Sequence, residues 1–282
     1  MKVLPFKIPK SSSDTLIIEQ DNVDVFYDKL HQHQEIQLSY IVNGKGTFIV
    51  GDTIKDYEPN DILIFGSNVP HVLKSDEEAS PSSRMISLFF TLDSFGSDFF
   101  ELPEFLKTKI FLSKAELGIK LKNNRQDLRD MFVSIAHKNK LKRFITFLEV
   151  IEILIGSEYE TVASFSKKKL YSDNEGKRMS AVFELALNNY HKDISLDEVS
   201  NIAAMTPNAF CRYFKQRTNK TFVQFLTEIR IENSCKLLSK NNELSIAEIA
   251  YQCGFKNISN YNRKFKSIKN VTPTDYRKRM NS

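Results

Sequence analysis

The run SNYNRKFK in the last part of the sequence carries side chains that can form hydrogen bonds in pairs. It contains Ser259, Asn260, Asn262, Arg263 and Lys266. An Arg side chain can bind guanine, and an Asn side chain can bind adenine, through two hydrogen bonds each. A helix with these side chains on its outer face could therefore read the edges of base pairs. An ordinary solvated helix face is the alternative, and this run alone leaves both interpretations open.

The residues around this run predict two short helices with a tight turn between them. Ser245 and Glu248 have the S-x-x-E spacing of a capping box, which begins a helix. Gly254 can take the left-handed conformation that ends a helix, and Asn257 is a good N-cap for the next one. A helix, a tight turn and a second helix with a polar, basic surface form the helix-turn-helix layout.

The pattern occurs twice, with an offset of 50 residues before the turn and 51 residues after it. The upstream copy keeps the capping box, the N-cap, two apolar positions four residues apart and two basic positions. Its residues are Ser195, Glu198, Thr206, Phe210, Arg212, Phe214 and Lys215, which match Ser245, Glu248, Asn257, Tyr261, Arg263, Phe265 and Lys266. Such an internal repeat indicates two copies of one structural unit. Residues 222–240, between the copies, predict a connecting helix.

The positive charge of the chain is concentrated in its last part. Residues 177–282 hold 18 Lys and Arg against 9 Asp and Glu, a net charge of +9, whereas the residues before them carry −4. Binding to phosphates requires a surface of this charge. The three cysteines have no metal-site spacing, and the sequence has no apolar leader and no membrane-spanning run. We therefore expect a cytoplasmic protein that does not contact a membrane.

Residues 177–282 resemble the DNA-binding domain of AraC/XylS-type transcription regulators. The resemblance rests on the repeat, the Gly254-Phe255 turn, the SNYNRKFK run and the closing pattern Thr272-Pro273-x-x-Tyr276-Arg277. It implies that the second helix of each unit, over 207–216 and 258–267, enters the major groove of DNA.

Three positions depart from this family pattern. Tyr261 stands where the family usually has Phe, and Asn219 and Asn270 each stand where a Gly is common. Because Asn tolerates the left-handed conformation, these changes are compatible with the fold.

The resemblance also implies a role for individual side chains of the two units. The implied base-reading residues are Asn208, Cys211, Arg212, Ser259, Asn260, Asn262 and Arg263. The implied phosphate contacts are Thr206, Lys215, Lys220, Asn257, Lys266 and Lys269. Because Cys is a poor partner for a base, the first reading helix would discriminate less at Cys211.

Residues 23–91 change to short β-type runs, among them IQLSYIV, GTFIV, DILIF and MISLFFTL, with turn residues between them. Many short strands in one segment predict a small sandwich or barrel of the jelly-roll class. On a strand, His31, His33, Glu35 and Gln37 would share one face. Imidazole and carboxylate groups can bind zinc or iron, or they can hydrogen-bond a small polar ligand.

The same segment resembles a cupin barrel, which AraC-type regulators often carry in front of the DNA-binding domain. The resemblance rests on His31-Gln32-His33, Gly44, Pro59-Asn60-Asp61 and Pro70-His71. The motifs are degraded, and Gln37 stands where metal-binding cupins have Glu. We therefore expect no cofactor, but a pocket for an unidentified small effector. The predicted pocket residues are His31, His33, Glu35, Gln37 and His71, and a metal ion at His31, His33 and His71 is the alternative occupant.

The domain organisation follows from these patterns. A sensor barrel over 1–112 precedes a helical region over 113–157, a polar linker over 158–176 and the double helix-turn-helix domain over 177–282. The helical region has apolar stripes that usually form core. In this family such helices commonly form the dimer interface, so we also expect a homodimer.

The sequence therefore predicts a sequence-specific, ligand-responsive transcription regulator and not an enzyme. Its partners would be promoter DNA, a second copy of the chain and, for an activator, RNA polymerase. Two other functions stay open at this point. One is a metal-dependent cupin enzyme with a DNA-binding tail, and the other is a constitutive DNA binder whose front domain only dimerises.

Overall fold

The computed structural model describes residues 15–76, 80, 82–123, 125–164, 173–240 and 243–280. It divides into two compact units, Met1–Asp173 and Asn174–Ser282. The predicted fold class is confirmed, since β-sheets with following helices precede an all-α unit. Among the described residues, no helix is both long enough and apolar enough to cross a membrane.

The first unit is built on two antiparallel sheets. The strands are β1 (Ile17–Val23), β2 (Ile36–Asn43), β3 (Gly46–Val50), β4 (Thr53–Tyr57), β5 (Ile62–Phe65), β6 (His71–Ser75), β7 (Ser83–Phe90), β8 (Ile119–Leu121) and β9 (Tyr159–Thr161). One sheet has the strand order β1-β7-β2-β5-β8-β9, and the other has the order β4-β3-β6. The β-type segment was expected to begin at residue 23, so β1 was missed. Its sequence IIEQDNV is mostly polar because the strand lies at the edge of its sheet.

Alternate residues of β2 lie in two different environments, because successive side chains of a strand point to opposite faces of the sheet. Ile36, Leu38 and Tyr40 belong to the hydrophobic core that contains the helices of this unit. Ile41 belongs to the other core, which combines residues of both sheets. Gln37 has the same parity as Ile41, so β2 directs its side chain toward the space between the sheets.

The helices of the first unit are α1 (Leu106–Lys114), α2 (Gln126–Ile135) and α3 (Lys140–Gly156). Two expectations about this region were wrong. The helical region over 113–157 contains strand β8, because the apolar-Lys-apolar run Ile119–Leu121 extends the sheet beside β5. The predicted linker over 158–176 contains β9, and its Val162 and Ala163 are buried in the core between the sheets. Residues 165–172 of that linker lie outside the described residues.

The second unit contains seven described helices. They are α4 (Asp173–Asn189), α5 (Leu196–Ile202), α6 (Pro207–Thr218), α7 (Phe222–Lys240), α8 (Ile246–Gln252), α9 (Ile258–Lys269) and α10 (Pro273–Met280). Helices α5 and α6 form the first helix-turn-helix unit, α8 and α9 form the second, and α7 is the predicted connecting helix. The N-terminal end of α4, at Asp173, also falls inside the predicted linker, which was wrong there as well.

The helix ends largely follow the sequence signals. Ser245 and Glu248 form a complete capping box at α8. At α5 only half of the expected box is present, since the Ser195 hydroxyl accepts the N–H of Glu198. Asn219 and Asn270 end α6 and α9 in the left-handed conformation, with φ of 56° and 59°.

Candidate nucleic-acid interface and sensor site

The two predicted reading helices are anchored by aromatic residues on one side and leave polar residues exposed on the other. In α6, Phe210 and Phe214 are fully buried, and in α9 the same is true of Tyr261 and Phe265. The predicted base-reading residues Asn208, Cys211, Arg212, Ser259, Asn260, Asn262 and Arg263 are all exposed. Each helix therefore offers these side chains to a partner while its core side fixes its orientation.

Helix α9 arranges its exposed residues through local hydrogen bonds. The Asn257 side chain accepts the backbone N–H of Ser259 at 2.8 Å and that of Asn260 at 3.1 Å. Arg263 donates from Nη2 to Asn260 Oδ1 at 3.0 Å. The guanidinium and the amide are therefore neighbours one helical turn apart, where they could contact adjacent base pairs.

Helix α6 is positioned by an N-cap at its first turn and by contacts with α4. The Thr206 hydroxyl caps it by accepting the N–H of Ala209 at 3.4 Å. On its inner side, Arg217 forms an ion pair with Glu175 of α4, and Tyr213 donates to the backbone carbonyl of that residue at 3.2 Å. These contacts join α6 to α4 and leave the outer face to Asn208, Cys211 and Arg212.

The four predicted phosphate-binding lysines fall into two groups. Lys215 and Lys266 are exposed on α6 and α9. The Lys220 ammonium lies 2.7 Å from a carboxylate oxygen of Glu228. The Lys269 ammonium contacts both carboxylate oxygens of Glu232, at 2.7 and 2.6 Å. Lys220 and Lys269 therefore tie the ends of the reading helices to α7, which the sequence did not reveal.

Three histidines of the first unit come together beside β2 and β6. One ring nitrogen from each of His31, His33 and His71 lies within 4.8 Å of the others. His31 and His71 also exchange two backbone hydrogen bonds, at 3.1 and 2.9 Å. The His71 ring is fully buried and stacks on Phe65, with 4.2 Å between the ring centres. The predicted histidine cluster is therefore present in the fold.

Each of these imidazoles has its Nδ1 against a backbone carbonyl, so Nδ1 is the nitrogen that carries the proton of the neutral ring. Nε2 is then the unprotonated nitrogen, which can bind a metal ion or accept a hydrogen bond. Burial lowers the pKa of all three rings, and that of His31 to about 4, so they are neutral at pH 7. The Nδ1 contacts are His31 to Lys29 at 2.8 Å, His33 to Glu35 at 2.9 Å and His71 to Val69 at 2.8 Å.

The Gln37 side chain bridges two of the rings. Its Oε1 lies 3.1 Å from Nε2 of His33 and 3.1 Å from Nε2 of His71. Since neutral rings carry no proton at Nε2, the amide satisfies both contacts when its NH2 group faces them and its oxygen faces Ser39. The Ser39 hydroxyl contacts the Gln37 amide at 2.8 Å and the Ser87 hydroxyl at 2.8 Å. The polar cluster therefore continues along the sheet.

The sequence predicted the positions of only some of the residues in this cluster. The prediction that His31, His33, Glu35 and Gln37 lie on one strand was wrong, because β2 begins at Ile36 and residues 34 and 35 form a bend. His33 stabilises this bend through its contact with the Glu35 carbonyl. The Glu35 carboxylate is half-buried at the edge of the cluster, 3.8 Å from His33 Nδ1. The serines were missed, although the alternation of IQLSYIV places Ser39 on the same face as Gln37.

Comparisons with known proteins agree with both parts of this description. A helix-turn-helix domain model matches residues 199–279, and a cupin domain model matches residues 25–86. An uncharacterised HTH-type transcriptional regulator, YdeC of Bacillus subtilis, is 26% identical over 91% of this chain and 88% of its own length. The chain therefore contains a helix-turn-helix domain and a cupin domain, and its relatives include HTH-type transcriptional regulators. The activator RhaR of Mannheimia succiniciproducens is 22% identical over 89% of this chain and 87% of its own.

Two solved structures illustrate the range of similar proteins. ToxT from Vibrio cholerae aligns over 94% of this chain and 98% of its own, with 17% identity and a TM-score of 0.36. The DNA-binding domain of AdpA in complex with a target DNA covers 36% of this chain, with 90% of its own length, 25% identity and a TM-score of 0.34. The matches to a helix-turn-helix domain and a cupin domain, together with the regulator YdeC, favour regulation of transcription over the two other functions.

Proposed function

We propose that this chain is an AraC-type transcription regulator, that it binds promoter DNA sequence-specifically through α6 and α9, and that its first unit controls this binding in response to a small effector. One observation carries the proposal. Both helices present Asn and Arg on an exposed face, while their repeated aromatic residues hold the opposite face in the core. A face that only solvates the protein would not require the same arrangement twice. Such binding places the protein in the cytoplasm, where promoter DNA of its bacterial relatives lies.

Arg263→Ala is expected to remove sequence discrimination and not only affinity. A bidentate Arg–guanine pair contributes about 1–3 kcal/mol of discrimination. Binding to a preferred duplex, selected from random sequences by the full chain, should therefore weaken by that amount, and the preference at one base pair should disappear. Lys278→Ala removes an exposed positive charge from α10 and serves as the control, which should keep the preference. Equal weakening on all duplexes would instead identify Arg263 as a phosphate contact.

The proposed effector site is the cluster of His31, His33 and His71. Three neutral imidazoles with Nδ1 held by carbonyls match the donor set of a zinc or iron site with an open position. A metal ion there would act as a Lewis acid toward an oxygen-containing effector, whereas the rings alone would hydrogen-bond it. A rise in melting temperature with zinc, iron or a metabolite that His71→Gln abolishes would support the site. No rise with any of them would favour a front domain that only dimerises.

We further propose that the homodimer forms through α3. Leu141 and Ile145 are 69% and 47% exposed on this helix, four residues apart and therefore on one face. Lys142 lies near the N-terminal end of α3, and Glu149 and Glu152 are exposed toward its C-terminal end. Two α3 helices packed antiparallel would therefore pair unlike charges around an apolar centre, as a two-fold interface requires.

Ile145→Glu is expected to convert the dimer to a monomer, because it buries a charge in the apolar centre of the interface. Sedimentation velocity on the full chain measures this change. Val23→Glu is a matched control, since Val23 is 42% exposed at the edge strand β1 and lies on a different surface element. A dimer that survives Ile145→Glu, or a parent that is already monomeric, would contradict the proposed interface.

The effect on transcription is a separate part of the proposal. An activator must help RNA polymerase at the promoter, whereas a repressor needs only to occupy it. We propose activation, because the relative RhaR is a transcriptional activator. Transcription in vitro from a template with the selected site, with and without the regulator, gives the sign directly. We assign no catalytic role, because the relatives and the helix-turn-helix match indicate a regulator.

A further inference from the structure

Arg230 joins three parts of the second unit that are far apart in the sequence. From the middle of α7, its Nε donates to the Tyr190 carbonyl at 2.7 Å, and its Nη2 donates to the Lys192 carbonyl at 2.8 Å. Its guanidinium carbon lies 5.9 Å from the centre of the Phe255 ring. One side chain therefore contacts the connecting helix, the segment after α4 and the turn of the second helix-turn-helix unit.

The turn at Gly254 rests on the same place. A Cβ atom on this residue would lie 2.6 Å from the Tyr190 carbonyl oxygen, 2.9 Å from Arg230 Nε and 3.0 Å from the His191 carbonyl oxygen. The backbone of the turn therefore closely approaches the Tyr190 carbonyl that Arg230 binds. Nearby, Lys256 and Asp193 form a largely exposed ion pair at 2.6 Å. We call Arg230, the carbonyls of residues 190–192 and the Gly254-Phe255 turn the joint.

The joint links the two helix-turn-helix units by a second route. Helix α4 packs with the first helix-turn-helix unit, because Phe183 contacts Phe214 of α6 and Phe225 of α7, with ring centres 6.2 and 4.7 Å apart. The two helix-turn-helix units are also connected through α7 itself, and a single helix can bend. The noncovalent contacts of Arg230 at the middle of that helix restrict how the second helix-turn-helix unit can move relative to the first helix-turn-helix unit.

We propose that Arg230 is a positioning residue for DNA recognition, which fixes the separation of α6 and α9 through the joint without contacting DNA itself. This inference rests on the proposed reading of DNA by both helices. One base pair inserted between two half-sites rotates one of them by about 34° around the duplex, since a turn has about 10.5 base pairs. A rigid pair of reading helices cannot follow that rotation, whereas a loosely connected pair can.

The other interpretation is that Arg230 only caps the end of α4, since a cationic side chain there stabilises unpaired carbonyls. In that case its substitution would lower the melting temperature and weaken every duplex to the same extent. A dependence of binding on half-site spacing distinguishes the two roles, because a simple cap does not affect it.

The experiment uses the full chain and a duplex selected from random sequences by the parent protein. Affinity is measured for that duplex and for versions with one base pair inserted or removed between the half-sites. The parent should lose about tenfold or more on either change, since mismatched contacts are lost. Arg230→Met should bind the original duplex more weakly and should lose less than about threefold on the changed ones. Arg230→Lys keeps the positive charge but loses the forked geometry of the guanidinium. It should also bind the original duplex more weakly than the parent and lose less affinity than the parent on the changed duplexes.

Lys256→Ala is the matched control, because it removes only the exposed Lys256–Asp193 ion pair beside the joint and should keep the spacing dependence of the parent. Circular dichroism measures whether each variant is folded. If Arg230→Met is unfolded, the comparison is made with Arg230→Lys instead. Folded Arg230 variants with the spacing dependence of the parent would overturn the inference. Selection that yields no preferred sequence would overturn the proposed function and this inference with it, and that result is distinct from an unchanged spacing dependence.

Discussion

Gly254→Ala is expected to destabilise the second unit by about 2–5 kcal/mol, because a left-handed alanine costs about 1–2 kcal/mol and overpacking costs about 1–3 kcal/mol. Gly254 has φ of 83°, and the added Cβ would meet the Tyr190 carbonyl oxygen at 2.6 Å. That oxygen belongs to the backbone and cannot rotate away as a side chain could. Denaturant unfolding of the full chain should show an earlier transition for this unit, with a parallel loss of DNA binding.

Two substitutions serve as controls for this result. Within the part of the chain that the structure describes, no atom beyond the neighbouring residues and the backbone of α3 lies within 4 Å of a Cβ added at Gly156, so Gly156→Ala should leave stability unchanged or raise it. Ala204 occupies in the first helix-turn-helix unit the position that Gly254 occupies in the second one, and its φ is 52°. Ala204→Gly should therefore stabilise the protein by up to about 1 kcal/mol, because it relieves the left-handed conformation. A Gly254→Ala protein with the midpoint of the parent would contradict the close approach at the joint.

The stability of the first unit is expected to fall when the pH drops below about 6.5, the ordinary pKa of histidine. Burial lowers the pKa of His31, His33 and His71 in the folded state, that of His31 to about 4. The unfolded chain therefore binds more protons between these values, so stability is complete above pH 6.5 and is lost as the pH falls toward 4. A histidine that is protonated in the unfolded chain and neutral in the folded chain contributes a slope of about 1.4 kcal/mol per pH unit.

Unfolding of the first unit, measured between pH 7.5 and 4 in the parent and in His31→Gln, isolates this effect. The difference between the two slopes matters, because buried carboxyl groups such as Asp61 have a raised pKa and act in the opposite direction. His137→Gln is the control, since it removes an exposed histidine of the same unit. Parallel pH profiles for the parent and His31→Gln would contradict a buried neutral His31.

The parts of the fold that the sequence predicted correctly depend on local signals. Helix ends at Ser245, Thr206 and Asn257 follow from side chains that cap their own helix within three residues. The repeat identified the two units because both use the same caps and the same buried aromatic positions. The exposure of the predicted base-reading residues follows directly from that placement, and their contacts with DNA stay a prediction.

The parts that sequence reasoning missed depend on partners that are distant along the chain. Lys120–Asp61 is an ion pair at 2.6 Å between β8 and the residue before β5, and nothing local predicts that these elements meet. Strand β9 is three residues long and gains its partner only when β8 has joined the sheet. Arg230 also looks like an ordinary exposed position of a long helix until the carbonyls after α4 are placed against it. Such contacts require the packed structure.

Hydroxyl-radical footprinting of the full chain on the selected duplex measures whether both helices bind the DNA. Two reading helices held at a fixed separation should enter successive major grooves on one face of the DNA. Two protected regions are therefore expected on the same face, with centres about 10 base pairs apart. A single protected region, or uniform protection along the duplex, would contradict recognition by both α6 and α9.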